Sequence, residues 1–149
     1  MKVKECMCNK VFSCTPSTTV YDAAKIMQTN HVGCIPVCDN ENCMVGVITD
    51  RDIVLRCIAS DKNVKDTSIS EIMSTNVWTC KPEDEISNAQ RKMGSEQIRR
   101  LPVVNNEGKV IGMLTLGDLA KNDLEIGPEE VSDTINSICE CSDENKNAE

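Results

Sequence analysis

The sequence is an internal duplication, and this feature constrains the fold more than any other. At an offset of 66 residues, positions 7–54 align with positions 73–120 without a gap, over 48 positions. A constant offset over that length is typical of a repeated structural unit. Each copy is too short to bury a sheet well by itself, so we expect the two copies to pack face to face. The aligned identities include Met7 with Met73, Cys14 with Cys80, Pro36 with Pro102, Gly46 with Gly112, Thr49 with Thr115 and Asp52 with Asp118.

Each copy predicts the element order β-α-β-β-α, from short apolar runs that alternate with segments of helical spacing. A Thr at the start of each helix in copy one can act as its N-cap, and Thr49 is the expected cap of the second. The predicted strands cover 11–14, 34–38 and 44–49 in copy one and 77–80, 101–104 and 110–115 in copy two. The predicted helices begin near Thr18 or Thr19 and run from Asp50 to about Ala59 in copy one, and cover 84–96 and 116–121 in copy two.

These elements predict an α+β fold with a boundary near the middle of the chain. We expect repeat one at 7–59, a polar linker at 60–72, repeat two at 73–121, and an acidic C-terminal helix and tail at 122–149. Within the last segment, Pro128 and three apolar residues at helical spacing predict an amphipathic helix over 128–138. The polar end from Cys141 to Glu149 is expected to be disordered.

The net charge of the chain, −8, comes from this C-terminal segment. The sequence has 16 basic and 24 acidic residues, and residues 123–149 contain nine acids and one base. The remaining 122 residues therefore carry 15 charges of each sign. Binding of duplex DNA needs clustered Lys and Arg to neutralise phosphates, so we expect no nucleic-acid partner.

The apolar stretches are as long as strands, and this length predicts no membrane span and no signal peptide. We therefore expect a cytoplasmic protein. Ten cysteines would suit a disulfide scaffold in a small secreted chain. Here Cys14, Cys34, Cys38 and Cys80 lie within apolar strand patterns, so we expect reduced, buried thiols that act as small hydrophobic side chains.

A seven-residue motif occurs in both copies where a strand meets a helix. It reads Gly46-Val47-Ile48-Thr49-Asp50-Arg51-Asp52 in copy one and 112–118 in copy two, with Gly, Thr and Asp in the same places. A Thr at a helix start can cap the helix or offer its hydroxyl to a phosphate. The Asp one turn later can complete the cap or bind the two hydroxyls of a ribose. Both interpretations stay open, because a duplication copies caps as faithfully as it copies binding sites.

Together, the Met that opens each copy, the apolar-Pro-Val strand and this junction motif resemble a tandem pair of CBS domains, known as a Bateman module. The resemblance covers about residues 7–121. It implies two repeats packed with pseudo-twofold symmetry, a regulatory role without catalysis, and a homodimer. It also implies ligands that contain adenosine, such as AMP, ADP, ATP or S-adenosylmethionine, bound in two clefts. No catalytic cofactor is implied.

The resemblance assigns two sets of ligand-binding residues, and the sets differ in charge. We expect cleft one to hold the phosphates of one tightly bound nucleotide through three cations, since Arg offers forked donors to phosphate. Cleft two lacks those cations and is expected to be empty, weaker, or occupied by a less charged adenosyl ligand. The first set is Val47, Thr49, Asp52, Trp78, Lys81, Arg99 and Arg100. The second set is Thr15, Val20, Gly33, Cys34, Met113, Thr115 and Asp118.

Other functions have weaker support in the sequence. The single histidine, His31, and the scattered carboxylates form no catalytic pattern, so we expect no enzyme. The pairs Cys6-Met7-Cys8 and Cys139-Glu140-Cys141 could together bind zinc or an iron–sulfur cluster, but the usual spacing has two residues between the thiols, and we expect no metal. A ligand-free module that dimerises or docks on an unknown protein target is a third possibility. With no effector domain expected, the output would be either action on a partner or buffering of the ligand.

Overall fold

The computed structural model describes residues 1–140 as a mixture of short helices and two small antiparallel sheets. Each sheet is a hairpin of two strands. The helices and strands are α1 (Val3–Cys6), α2 (Val20–Asn30), β1 (Cys34–Cys38), β2 (Met44–Thr49), α3 (Asp50–Asp52), a π-helix (Ile53–Ile58), a 3₁₀ turn (Ile69–Glu71), α4 (Ile86–Ser95), β3 (Arg100–Val104), β4 (Val110–Thr115), α5 (Leu116–Lys121), α6 (Asp123–Ile126) and α7 (Pro128–Cys139).

The structure confirms the two predicted hairpins and the predicted helices that flank them. Thr19 caps α2 by accepting a hydrogen bond from the backbone N–H of Asp22. The predicted helix after Thr49 is present, but beyond Asp52 it widens into a π-helix in which the N–H of Ala59 donates to the carbonyl of Val54. The sequence patterns missed α1, α6 and the 3₁₀ turn. The predicted disorder from Cys141 to Glu149 lies outside the described residues.

The predicted strands over 11–14 and 77–80 are wrong, because each is reduced to a single bridge. Cys14 pairs with Val37 in parallel, and Cys80 pairs with Val103 in the same way. The N–H of Cys14 donates to the carbonyl of Pro36 at 3.1 Å. The next ladder bond would need an N–H on Pro36, which proline lacks. Pro102 has the same effect on Cys80, so neither segment extends into a strand.

The chain forms two compact units that do not follow the order of the sequence. The first unit, here called the repeat-one unit, consists of residues 10–78 and 104–111. The repeat-two unit consists of 1–9, 79–103 and the described part of 112–149. Residues 1–9 therefore belong to the repeat-two unit, and residues 67–75, their counterparts 66 positions later, belong to the repeat-one unit. These two stretches are called the leading segments.

These leading segments are held by equivalent backbone hydrogen bonds. Val47 on β2 exchanges two N–H···O bonds of 2.9 Å with Ser74, and Met113 on β4 exchanges two bonds of 2.9 Å with Cys8. The first turn of the long helix is tied in the same way. The N–H of Val20 donates to Thr67, and the N–H of Ile86, 66 positions later, donates to Met1. The duplication thus extends into both leading segments.

The two units have equivalent cores, built from the inner faces of a hairpin, a long helix and the leading segment. Counterparts 66 residues apart are buried in both units, as expected for duplicated packing. In the repeat-one unit they include Val20, Ala23, Met27, Ile35, Val37, Ile48, Ile53, Ile69 and Ile72. In the repeat-two unit they include Ile86, Ala89, Met93, Leu101, Val103, Leu114, Leu119, Val3 and Cys6.

A glycine in each second strand allows the leading segment to approach. A Cβ atom on Gly46 would lie 2.7 Å from the carbonyl oxygen of Ser74. A Cβ atom on Gly112 would lie 2.6 Å from the sulfur of Met7 and 3.1 Å from the carbonyl oxygen of Cys8. The Met that opens each repeat therefore packs over a position that tolerates no side chain.

Gly46→Ala should lower the free energy of unfolding by about 1–3 kcal/mol, because the new methyl group overlaps a backbone oxygen that cannot move independently. Gly117→Ala is the matched control. Its new methyl group would have 3.6 Å of clearance from the hydroxyl of Thr115, so the better helix propensity should stabilise α5 by about 0.5–1 kcal/mol. Urea unfolding followed by circular dichroism measures both. Equal effects of the two substitutions would contradict the packing described here.

Candidate functional site

The Thr and Asp of the repeated motif form a reciprocal cap in both units. In α3, the N–H of Thr49 donates to Oδ2 of Asp52 at 3.0 Å, and the N–H of Asp52 donates to Oγ1 of Thr49 at 3.0 Å. In α5, the corresponding distances between Thr115 and Asp118 are 2.9 and 3.2 Å. The capping interpretation of the motif is confirmed. In both caps the backbone N–H binds one carboxylate oxygen, Oδ2, which fixes the orientation of the carboxylate.

Arg56 contacts the other oxygen of Asp52, a contact that the sequence motifs did not predict. Its Nη2 lies 3.6 Å from Oδ1 of Asp52, whose side chain is 13% exposed. Its Nη1 donates to the carbonyl of Ile72 at 3.0 Å and to Oγ of Ser74 at 3.1 Å. Arg56 therefore links the cap to the leading segment. The sequence signal is an Arg one helical turn after the Asp, which is also the spacing of an ordinary surface ion pair.

The duplicate of Arg56 is uncharged. Asn122 donates from Nδ2 to the carbonyl of Asp118 at 2.8 Å and to the sulfur of Cys6 at 3.4 Å. No ion pair of Asp118 occurs within residues 1–140. The carboxylate of the first motif is thus accompanied by a cation, and that of the second is not.

The first strand of each hairpin, β1 or β3, begins with an uncharged residue in the repeat-one unit and with an arginine in the repeat-two unit. Cys34 begins β1 and Arg100 begins β3, and both are partly buried. The preceding residues accept equivalent backbone hydrogen bonds. Gly33 accepts from the N–H of Asp50 at 3.0 Å, and Arg99 accepts from the N–H of Leu116 at 2.9 Å.

The remaining predicted ligand residues lie at varied depths. Trp78 is 44% exposed, and Thr15 and Lys81 are exposed. The N–H of Lys81 donates to Oδ2 of Asp84 at 2.8 Å, and the N–H of Thr15 donates to Oγ1 of Thr18 at 3.1 Å. The side chain of Val20 is fully buried in the core, which argues against its direct contact with a ligand.

Each predicted set draws on both units. In the first set, Val47, Thr49, Asp52 and Trp78 belong to the repeat-one unit. Lys81, Arg99 and Arg100 belong to the repeat-two unit. In the second set, Thr15, Val20, Gly33 and Cys34 belong to the repeat-one unit, whereas Met113, Thr115 and Asp118 belong to the repeat-two unit.

A groove of about 400 Å³ between α4 and α7 contains none of the predicted ligand residues. It lies within the repeat-two unit, and most of the residues that line it have polar side chains. The lining residues are Ser87, Gln90, Arg91, Gly94, Ser95, Glu130, Asp133, Thr134 and Ser137. Gln90 and Thr134 are buried there, with Nε2 of Gln90 3.5 Å from Oγ1 of Thr134.

The cysteines of the described chain are thiols without disulfides. Cys14, Cys38 and Cys80 are buried, as predicted, and Cys34 is partly buried. Burial raises the pKa of Cys14 and of Cys80 to about 11. Within residues 1–140, no cluster of three or more Cys, His, Asp or Glu side chains could bind a metal ion. Cys141 of the second Cys-x-Cys pair lies outside the described residues.

A family model described as the CBS domain matches the chain twice, at residues 3–58 and 69–125. The chain belongs to the CBS-domain family. The CBS domain-containing protein YhcV of Bacillus subtilis is 38% identical over 122 residues, which cover 82% of this chain and 85% of that relative. No helix within residues 1–140 has both the length and the hydropathy to span a membrane.

Two solved CBS structures are similar to this chain and contain ligands. The CBS domain pair of protein MJ0100, in complex with 5′-methylthioadenosine and S-adenosyl-L-methionine, aligns with a TM-score of 0.75 and 27% identity. The alignment covers 86% of this chain and 98% of that one. CBSX2 in complex with AMP aligns with a TM-score of 0.73 and 28% identity, covering 84% of this chain and 97% of the other.

The buried thiols predict a loss of stability at alkaline pH. Because the pKa of Cys14 and of Cys80 rises from 9.0 to about 11 on folding, the folded state keeps protons that the unfolded chain releases. Their contribution is fully present below pH 9 and is lost as the pH rises to about 11. The free energy of unfolding should fall by up to about 1.4 kcal/mol per pH unit for each thiol.

Urea unfolding between pH 8 and pH 11 measures this slope. The double variant Cys14→Ala/Cys80→Ala should show a shallower slope than the parent, whereas Cys139→Ala, at an exposed site, should leave the slope unchanged. A double variant with the parental slope would show that these thiols do not carry the dependence.

Proposed function

We propose that this chain is a regulatory module that binds an adenosine-containing ligand and does not catalyse a reaction. Its first site takes an adenine nucleotide, AMP, ADP or ATP. The observation that carries the proposal is the duplicated cap, which holds a carboxylate in a fixed orientation at the end of each second strand, within a CBS-domain pair. That arrangement suits a ligand with one recurring part, the ribose, and one variable part, the group on its 5′ carbon.

The ribose end of the proposal rests on Asp52 and Asp118. A carboxylate can accept hydrogen bonds from both hydroxyls of a ribose, and its oxygens have spare acceptor capacity. The cap uses Oδ2 of each carboxylate, so the orientation of Oδ1 is set before a ligand arrives. Such preorganisation reduces the entropy lost on binding.

The phosphate end rests on Lys81, Arg99 and Arg100. Two adjacent guanidinium groups and an ammonium group can provide charge-assisted hydrogen bonds, which are stronger than neutral ones. The ligands in the similar structures support the adenosyl part of the proposal. CBSX2 was crystallised with AMP and MJ0100 with two adenosyl sulfur compounds.

Arg100→Ala should weaken AMP binding by about 10- to 100-fold, which corresponds to about 1.5–3 kcal/mol for a hydrogen bond to a charged group. Adenosine should bind almost equally to both proteins, since it has no phosphate to lose. Isothermal titration calorimetry measures both affinities. Arg91→Ala, which removes an exposed Arg from the same unit, is the control and should leave both unchanged.

Equal losses for AMP and adenosine in Arg100→Ala would contradict the phosphate assignment. Two equivalent tight AMP sites per chain would contradict the difference between the sites. Absence of binding by either ligand to the parent protein would favour a ligand-free interaction module.

We also propose that the module forms a homodimer through the repeat-one unit. Three large apolar side chains are half exposed on its π-helix: Val54 at 52%, Leu55 at 48% and Ile58 at 57%. The wide helical turn buries Ile53 and Cys57 and leaves these three on the surface. A second copy that covers them would remove apolar area from water, the main favourable term in association.

Leu55→Glu should shift the protein from dimer to monomer, because an ionised carboxylate is costly to bury in an apolar interface. Light scattering after size-exclusion chromatography measures the mass. Leu124→Glu makes the same substitution on α6, at a side chain that is 89% exposed, and should leave the mass unchanged. A Leu55→Glu variant that stays dimeric would rule out this surface.

A further inference from the structure

The two units differ in charge at the start of the first hairpin strand, which is β1 in the repeat-one unit and β3 in the repeat-two unit. In the repeat-two unit, Arg99 and Arg100 precede and begin β3, and Arg99 accepts a backbone hydrogen bond from Leu116. In the repeat-one unit, the same bond joins Gly33 to Asp50, at 3.0 Å instead of 2.9 Å. Because this bond is preserved, the two places can be compared residue by residue. One has two arginines, and the other has the carboxylate of Asp50 followed by Arg51, whose guanidinium forms no ion pair with Asp50 within residues 1–140.

The absence of a side chain at Gly33 leaves room for the carboxylate of Asp50. A Cβ atom on Gly33 would lie 2.7 Å from Oδ2 and 3.2 Å from Cγ of Asp50. The carboxylate thus lies where a side chain at position 33 would begin. Its other oxygen, Oδ1, accepts a 2.9 Å hydrogen bond from the N–H of Arg51, which fixes the orientation. An arginine at position 33, as in the second repeat, would collide with this carboxylate.

The charge of Asp50 is not compensated by an ion pair in the described chain. Asp50 is exposed, and none of the ion pairs within residues 1–140 includes it. A phosphate brought to this place would meet a like charge, and repulsion of this kind is an effective way to reject one ligand in favour of another. A neutral group would be tolerated, and a positively charged group would be attracted.

Resting on the proposed function, we propose that Asp50 determines ligand class at the site that includes Gly33 and Cys34. This site takes an adenosyl ligand whose 5′ substituent is a thioether or a sulfonium, and it rejects 5′-phosphates. The nucleotide site that includes Arg99 and Arg100 has the opposite preference. One chain therefore responds to two classes of adenosyl compound, distinguished by the charge on the 5′ group.

The test compares three probes that share the adenosyl group and differ in 5′ charge: AMP, 5′-methylthioadenosine and S-adenosylmethionine. Calorimetric titrations use the parent protein and Asp50→Asn, which keeps the shape and the acceptor for Arg51. AMP should gain about tenfold in affinity at this site and S-adenosylmethionine should lose about tenfold, while the thioether changes less than twofold, as expected when one nearby charge is removed. Repeating the titrations in an Arg100→Ala background weakens the nucleotide site and isolates the gain in AMP binding.

Two further variants separate charge from structure. Asp66→Asn removes one charge from an exposed position of the same unit and should leave all three affinities unchanged. Asp50→Glu keeps the charge and should keep the preference for the sulfonium. An Asp50→Asn variant in which all three probes weaken together would overturn the inference, because that pattern indicates a structural role.

The inference and the proposed function fail in different ways. If the parent protein binds none of the three probes, the proposed function is wrong and the inference falls with it. If the parent binds them but the ratio of AMP to S-adenosylmethionine affinity is the same in Asp50→Asn, the inference alone is wrong.

Discussion

The exchange of backbone hydrogen bonds between each second strand and a leading segment is the interaction on which the rest of the structure depends. Val47 with Ser74 and Met113 with Cys8 extend two hairpins that would otherwise have an open edge. A two-stranded hairpin is marginal in water and needs further pairing or packing. Each leading segment supplies both pairing and packing. Its backbone pairs with the second strand, and its apolar residue, Val3 in one segment and Ile69 in the other, is completely buried. Gly46 and Gly112 are the steric condition for this approach.

The same strands end in the motif that carries the candidate chemistry. The cap satisfies backbone N–H groups at the start of α3 and α5, which a helix needs in any case. A side effect is a carboxylate with one oxygen fixed by the backbone. The cap and the ribose contact of the proposed function therefore use the same two carboxylates, Asp52 and Asp118. Differences between the copies arise in neighbouring residues, such as Arg56 against Asn122, and these can change without loss of the cap.

Local patterns predicted the hairpins and long helices because their signals lie within a few residues. Thr19 caps α2 and Thr49 caps α3, as the spacing indicated. The shortened strands were mispredicted because their limit is set elsewhere, by the missing N–H of Pro36 and its duplicate. The leading segments were missed because a helix as short as α1 has no detectable periodicity, and its partners are remote in the sequence.

The candidate site was also predicted from the sequence only in part. The motif gave Thr49, Asp52 and their duplicates, and the resemblance added the cations. The contact of Arg56 with Asp52 and the approach of Asp50 to Gly33 were missed because the motif gives residue types and not the contacts between side chains. The approach of Asp50 to Gly33 does have a sequence feature associated with it, which a comparison of the two repeats reveals. Repeat one has Gly33 and Asp50 where repeat two has Arg99 and Leu116, so the residue without a side chain and the acid occur in the same repeat.

The placement of the leading segments also bears on how such a chain can originate. A polypeptide with one repeat would have a sheet edge that its own leading segment does not cover in this arrangement. Two identical one-repeat polypeptides could each lend that segment to the other, as in a domain-swapped dimer. Joining two copies of the gene end to end would keep both exchanged segments in place within one molecule. Divergence could then act on each half separately, which accounts for Gly33 and Asp50 in one repeat where the other has Arg99 and Leu116.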